Sequence, residues 1–537
     1  MSCVFLVLSS FAIVAFGQPA WVGGLGVLAS AFGIALFWRA AFTFEKRLHR
    51  FLLGAIWFGS VQAVQLSWMS SDAYMGPMIL VVYLFLCLAV GAQFGLLSVI
   101  LEKRIGWREV LSVASAWVLM EWSRLFFLSG FTWNPVGLSL AGNYSIQFAS
   151  LFGIYGLSFW VIFVNALALR CLLEKTKRSI AIWVCLAAIP YGFGFAQKKW
   201  VETALSEKTI SVALVQTALL PEEKDYMPHL ADAFLPPLDQ WTRVLELLKG
   251  KRAELIILPE AAFPFGAKRT FYPLEAVEQF WRDHFGRDSL SDFPPLDAPF
   301  AKLASEKWKV NNSFLAQALS NHFQAELIVG LDDFDPLDGK KYNAAFLFRP
   351  GKDPQRCEKR VLVPVGEYVP LRELKFFADF VALQFGIEDS FDVGKGAKVF
   401  EAKTPVAVSI CCEETYSGLI RELRLKGANL LVNISNDAWF PNSKLPRHHV
   451  SHGKVRAAEN GVCVFRACNT GTTCAIDCFG SEVAALPTSD EYLGVLYLSF
   501  KTRNFKTLYT ELGDGLVLSL SAGLLFFGLL YRKKKLL

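Results

Sequence analysis

Charge is scarce in this chain. Asp, Glu, Lys and Arg make up 19% of the 537 residues, against about 25% in ordinary soluble domains. No long basic run occurs, and a formal net charge of +6 is modest for the length, so no nucleic-acid partner is expected. The cysteines Cys463, Cys468, Cys474 and Cys478 lack C-x-x-C spacing and fall in or beside apolar runs, which reads as buried thiols rather than a zinc site. An oxidising compartment could pair some of them. His448, His449 and His452 form H-H-x-x-H with no positioned acidic partner. They read as the start of a helix continuing to Glu459, so no metal is expected. Repeats and low-complexity segments are absent too, which excludes solenoids and fibrous folds.

What the chain has in excess is apolar surface: 53% hydrophobic residues, with 46 Phe and 15 Trp. The excess is concentrated before residue 197 and after residue 512. A bilayer core about 30 Å thick needs roughly 20 apolar residues per spanning helix. Eight stretches approach that length: about 3–17, 22–41, 51–69, 77–101, 110–128, 146–170, 179–196 and 512–531. The first lacks a basic n-region and is followed at once by the second, so it reads as a span rather than a cleaved leader. Lys and Arg gather on alternate loops: Lys46, Arg47 and Arg50; Lys103, Arg104 and Arg108; Lys175, Lys177 and Arg178; and the tail Arg532 to Lys535. The intervening loops Ser70–Gly76 and Ser129–Ser145 contain neither residue. By the positive-inside rule both termini are cytoplasmic. The expected organisation is a seven-span membrane domain (1–197), an extracytoplasmic domain (198–511), and an eighth span with a basic tail (512–537). Glu121 and Arg124 lie three apart inside a span, where charge is expensive, and read as either functional or an internal structural pair.

The middle region changes pattern. Short aliphatic runs at Thr209–Gln216, Glu254–Leu258, Glu326–Gly330, Ala344–Phe348, Val406–Ile410, Leu430–Ile434, Val462–Ala467 and Thr473–Asp477 read as buried strands. Helical spacing at Leu238–Leu248 and Ser313–His322 separates some of them, which argues for a layered α/β domain. Residues 263–312 are long, irregular and aromatic. They read as a lid or as a helical excursion with its own small core.

Three strand ends carry reactive side chains. Leu258-Pro259-Glu260 sets a carboxylate after one strand, Lys359 stands eight residues before Glu367, and Cys411 follows the strand Val406–Ile410 at an expected sharp turn. Singly, each is weak: a Glu there usually caps, and a Cys there usually packs. Together, LPEAAFP, KRVLVPVGEYVP and ICCEE resemble the Glu-Lys-Cys patterns of the nitrilase superfamily. Asn433 to Phe440, NISNDAWF, looks like a segment of apolipoprotein N-acyltransferases. So do Trp117 to Arg124 and the loop Ser129 to Trp133, which are similar to that family's fifth span and following loop. The resemblance covers essentially the whole chain.

The resemblance implies a polytopic α-helical membrane domain of eight spans with an α/β four-layer α-β-β-α sandwich. It implies Glu260 as general base, Lys359 as oxyanion stabiliser and Cys411 as nucleophile. Glu367 and Glu413 would orient them, and Trp439 would line the substrate site. The family has an aromatic residue after the nucleophile where this chain has Cys412, and a Trp after the first strand's Gln where Tyr226 is the nearest match. No cofactor is implied. The implied partners are a phospholipid acyl donor, diacylglyceryl apolipoproteins and the lipid bilayer, at a bacterial inner membrane with the catalytic domain facing the periplasm. A membrane-anchored amidase is the alternative.

Overall fold

The computed structural model describes residues 2–102, 105–142, 144–335, 339–385 and 390–536; Lys103 and Arg104 lie outside them. Helices occupy the apolar stretches: Cys3–Phe16, Leu25–Ala41, Arg47–Gln65, Met78–Ile100, Trp107–Ser123, Ala149–Glu174, Lys177–Ala204 and Asp514–Leu536. Only helices satisfy every backbone group internally without water, which is why such runs fold this way. Among the described residues, Met78–Ile100, Ser145–Glu174 and Lys177–Ala204 are long and apolar enough to cross a membrane. The core shared by the helical region is aromatic, with Phe37 stacked on Trp57 at 4.3 Å and Phe58 on Phe94 at 4.6 Å. Val81, Leu84, Phe85 and Leu88 on Met78–Ile100 instead point outward.

The α/β region holds two large sheets. The first has the order Gly494–Thr502, Lys208–Gln216, Leu255–Ile257, Glu326–Asp335, Lys340–Arg349, Lys352–Glu358. The second runs Glu482–Ala485, Cys474–Ile476, Val464–Cys468, Leu430–Ser435, Val406–Ile410. In each, three neighbouring strands run parallel. Parallel strands must be covered on both faces, which their continuous aliphatic sequence permits. Leu214, Ile257, Ile328 and Leu347 of the first sheet meet Val408, Val432, Ile434 and Phe465 of the second. Outside the first sheet lie Trp241, Leu245, Phe314 and Leu319 of Pro237–Leu248 and Asn312–Phe323. Outside the second lie Ile420, Leu423, Val450 and Ala457 of Ser417–Leu425 and Leu445–Asn460. The layers are therefore α-β-β-α.

Residues 263–312 fold as a helix, Leu274–Phe285, against a three-stranded sheet of Tyr272–Pro273, Ala301–Ala304 and Lys307–Val310. The excursion has no core of its own. Tyr272, Val277 and Trp281 are buried within the outer core of the first sheet, where Phe293 meets Phe314 edge-on at 4.9 Å. Aromatic surface of that size is used where an existing apolar face can cover it.

The helical region and the sandwich join through buried polar contacts. Gly153, at φ 66°, breaks the long Ala149–Glu174 helix. A side chain there would collide with the Tyr509 ring at 2.3 Å. The break frees the Ile154 N–H, which donates to Glu459 of the sandwich at 2.7 Å. Gln18 contacts His448 at 3.0 Å and donates to Asn134 at 2.9 Å, while Asn134 donates to Gln62 and Gln65 at 2.9 and 2.6 Å.

Candidate active site

Each of the three reactive side chains sits where a strand ends and the backbone turns sharply. After Leu255–Ile257 the chain passes Glu260 and enters the left-handed region at Ala261, φ 43°. Gly330 on the neighbouring strand allows this close pass: a Cβ there would lie 2.6 Å from the Glu260 Cα and the Pro259 carbonyl. Lys359 directly follows Lys352–Glu358 and is anchored by its N–H to the Asn343 carbonyl at 2.8 Å. Cys411 follows Val406–Ile410 with φ 54°, a conformation uncommon for a residue with a side chain and often associated with function.

The side chains converge. Lys359, 1% exposed, donates to Glu367 at 2.7 Å and to Glu260 at 3.2 Å. Asn343 bridges the same two carboxylates, donating to Glu260 at 2.7 Å and Glu367 at 3.1 Å. The second Glu367 oxygen accepts from the Val363 N–H at 2.8 Å, which fixes its orientation. Burial alone would lower the Lys359 pKa, but the Glu260 and Glu367 carboxylates outweigh it and hold the ammonium well above its usual range. Glu260 and Lys359 also act electrostatically on the Cys411 thiol. Its pKa is pushed well up, first by the neighbouring Cys412 thiol, then by burial and Glu260, with Lys359 opposing. Cys411 is thereby held as the thiol, so a base would have to take its proton before it could attack.

Glu413 works on the main chain. Its carboxylate accepts from the N–H groups of Ile410 at 2.8 Å, Arg360 at 2.6 Å and Val361 at 3.2 Å. It thus ties the Cys411 turn to the segment bearing Lys359, through main-chain N–H groups. Cys412 is buried, with its sulphur 3.9 Å from the Val361 carbonyl. Trp439 is 37% exposed and meets Tyr74 of the helical region edge-on at 5.9 Å. Tyr226 is the outlier: it is 62% exposed, its ring edge-on to Phe234 at 5.9 Å. Cys463, Cys468, Cys474 and Cys478 are buried free thiols.

Two site features escaped sequence reading. Asn343 gives only a faint signal, a lone amide inside the apolar run of Lys340–Arg349. The other is the grip on the Cys411 carbonyl, which accepts from Asn433 Nδ2 at 3.1 Å and contacts His449 Nε2 at 3.1 Å. Trp133, on a helical-region loop, packs edge-on against His448, His449 and His452 at 5.3–5.5 Å. Beside it a cavity of about 220 Å³ is lined by Glu121, Arg124, Thr415 and Arg456 among others.

Residues 211–501 match the carbon–nitrogen hydrolase family, and residues 11–167 match the apolipoprotein N-acyltransferase N-terminal domain. An apolipoprotein N-acyltransferase of Chlamydia pneumoniae is 30% identical, aligned over 95% of this chain and 94% of its own. The chain belongs to the apolipoprotein N-acyltransferase family. Relatives of the same name in Chlamydia trachomatis and Nitrosomonas europaea are each 29% identical, over 98% and 92% of this chain. Membership of that acyltransferase family, together with the apolar helices, makes this a membrane enzyme, with Glu260, Lys359 and Cys411 inside the matched hydrolase segment.

Proposed function

We propose that Cys411 carries a fatty acyl group as a thioester between two lipid substrates. Glu260 takes the thiol proton, and the thiolate attacks an acyl ester of a phospholipid. Lys359 stabilises the oxyanion of the tetrahedral intermediate, a contribution worth about 2.7–4 kcal/mol in comparable sites. The ester C–O bond then breaks, and the leaving alkoxide regains the proton from Glu260 as a lysophospholipid. In the second half, the α-amine of a diacylglyceryl-cysteine attacks the thioester and loses a proton to Glu260. The C–S bond breaks, Cys411 is reprotonated, and the triacylated apolipoprotein leaves.

The observation that carries this reading is the buried Lys359 ammonium held between Glu260 and Glu367 beside the Cys411 turn. Two carboxylates face one ammonium, so the cluster has room for the proton that shuttles. Trp439 is assigned to the substrate entrance because it meets Tyr74 at the junction with the helices.

All eight helices are taken to span the membrane, as domains 1–197, 198–511 and 512–537, with the basic loops in the cytoplasm. That topology puts the catalytic domain on the periplasmic face of a bacterial inner membrane, next to both lipid substrates. The test is incubation of the purified protein with acyl-labelled phosphatidylethanolamine. Hydroxylamine-sensitive label should accumulate on the wild type and be absent from Cys411→Ala. Label that survives Cys411→Ala and disappears in Cys412→Ala would move the nucleophile by one residue. Amide hydrolysis with no trapped label would favour a membrane-anchored amidase.

A further inference from the structure

The nucleophile's backbone is held in a conformation that a side chain disfavours, and its carbonyl is the handle. Cys411 sits at φ 54°. Two groups reach its carbonyl oxygen: Asn433 Nδ2 and His449 Nε2, each at 3.1 Å. The other ring nitrogen of His449 lies 3.2 Å from an Asp437 carboxylate oxygen. Both partners are therefore acceptors. A neutral imidazole has one N–H, so either tautomer would leave a lone pair against an oxygen. Only the imidazolium donates to both.

We propose that His449 is a positioning residue for the nucleophile: as an imidazolium it bridges Asp437 to the Cys411 carbonyl and locks the left-handed turn that presents the thiol. The proposal rests on Cys411 being the acyl carrier.

The surroundings favour one charged histidine among three. Facing His449 are Asp437 from the loop after Leu430–Ser435, Glu414 of the nucleophile turn at 3.4 Å, and Cys412. Glu414 is itself ion-paired with Arg466 of Val464–Cys468. Trp133 packs on the ring from the helical region. Burial alone would lower the His449 pKa, but Asp437 and the Cys411 carbonyl raise it above the ordinary value. His448 and His452, on the same helix, go the other way: burial first, then neighbouring histidines, pushes His448 down to about 3 and His452 well down. The charge is thus concentrated on the one ring that touches the nucleophile. Because the folded value is raised, the clamp is complete at low pH and is lost as pH rises through that raised value.

Removing the counter-ion while leaving the ring buried should bring this titration into reach. In Asp437→Asn, Cys411 acylation by labelled phosphatidylethanolamine, and its alkylation by iodoacetamide, should hold near pH 5.5. Relative to wild type both should fall about tenfold or more by pH 8, the scale of one lost charged hydrogen bond. His449→Gln keeps a donor to the carbonyl but carries no charge. It should lower the single-turnover acylation rate at all pH values, leave the phospholipid KM unchanged and abolish the added pH dependence when combined with Asp437→Asn. A loss in Asp437→Asn that is equal at every pH, with the protein still folded by circular dichroism, would overturn the proposal and leave a purely structural contact. Failure of wild-type protein to acylate while alkylation still follows the expected profile would sink the thioester reading instead.

Discussion

The helical region and the sandwich bury charged side chains in two different ways. In the sandwich, Lys359 is enclosed by Glu260 and Glu367, so opposite charges face one another directly. In the helices, Glu121 and Arg124 are as deeply buried but are met by neutral partners. Glu121 accepts from the Trp117 indole at 2.7 Å and the Val136 N–H at 2.9 Å. Arg124 donates to Gln93 at 2.8 Å and lies 5.3 Å from the Trp117 ring centre. A buried charge needs partners wherever it is, but the kind of partner decides what it can do. Neutral dipoles hold a charge still and pin a loop to a helix. Opposing charges leave a set whose protonation can change during a reaction.

The largest effect expected from that difference is at Lys359. Lys359→Met should reduce Cys411 acylation by about a thousandfold, since it removes the proposed oxyanion partner. It should also destabilise the fold by about 3–5 kcal/mol, because Glu260 and Glu367 are left buried without their cation. Acylation and thermal denaturation of the detergent-solubilised protein read the two separately. Near-normal acylation would show that Lys359 is only a structural counter-ion.

A smaller change is expected at Cys412. Its thiol is the first cause of the raised Cys411 pKa. Cys412→Ala removes that cause, so more Cys411 is thiolate at a given pH and its alkylation by iodoacetamide near pH 7.5 should quicken. An increase of about tenfold corresponds to one unit of pKa. Alkylation of Cys411 that is slower, or unchanged, would show that burial and Glu260 dominate.

The difference in partners also explains what the sequence could reveal. The parallel strands were legible because both their faces are buried and their aliphatic runs are continuous. Lys352–Glu358, Glu482–Ala485 and Gly494–Thr502 were not, since these outer strands are partly exposed and read as mixed polar segments. Glu260, Lys359 and Cys411 were legible as chemistry at strand ends, but their convergence depends on sheet order and on Gly330, which no local pattern encodes. Glu413 was legible as a carboxylate beside Cys411, but the main-chain N–H groups it meets were not, since those of Arg360 and Val361 arrive from a separate segment. His449 was legible only as part of a helix, because its partners Asp437 and Cys411 arrive from separate loops. For Glu121 and Arg124 the sequence offered a charged pair, whereas each takes its hydrogen bonds elsewhere.

That last point gives the smallest expected effect and the sharpest comparison. In a double-mutant cycle on stability, Glu121→Met and Arg124→Met should each cost about 1–3 kcal/mol, because each strands a buried neutral partner. Their coupling should stay below that of the sandwich cluster, at about 1 kcal/mol, since they attract one another without sharing a hydrogen bond. The matching cycle of Lys359→Met with Glu367→Gln should couple by about 2–3 kcal/mol, since those groups share one contact at 2.7 Å. What coupling remains between Glu121 and Arg124 comes from their mutual Coulombic attraction across the helix, with no hydrogen bond joining them. Coupling as large in the helices as in the sandwich would mean that the helical charges form a functional set after all, and the distinction drawn between the two regions would fail.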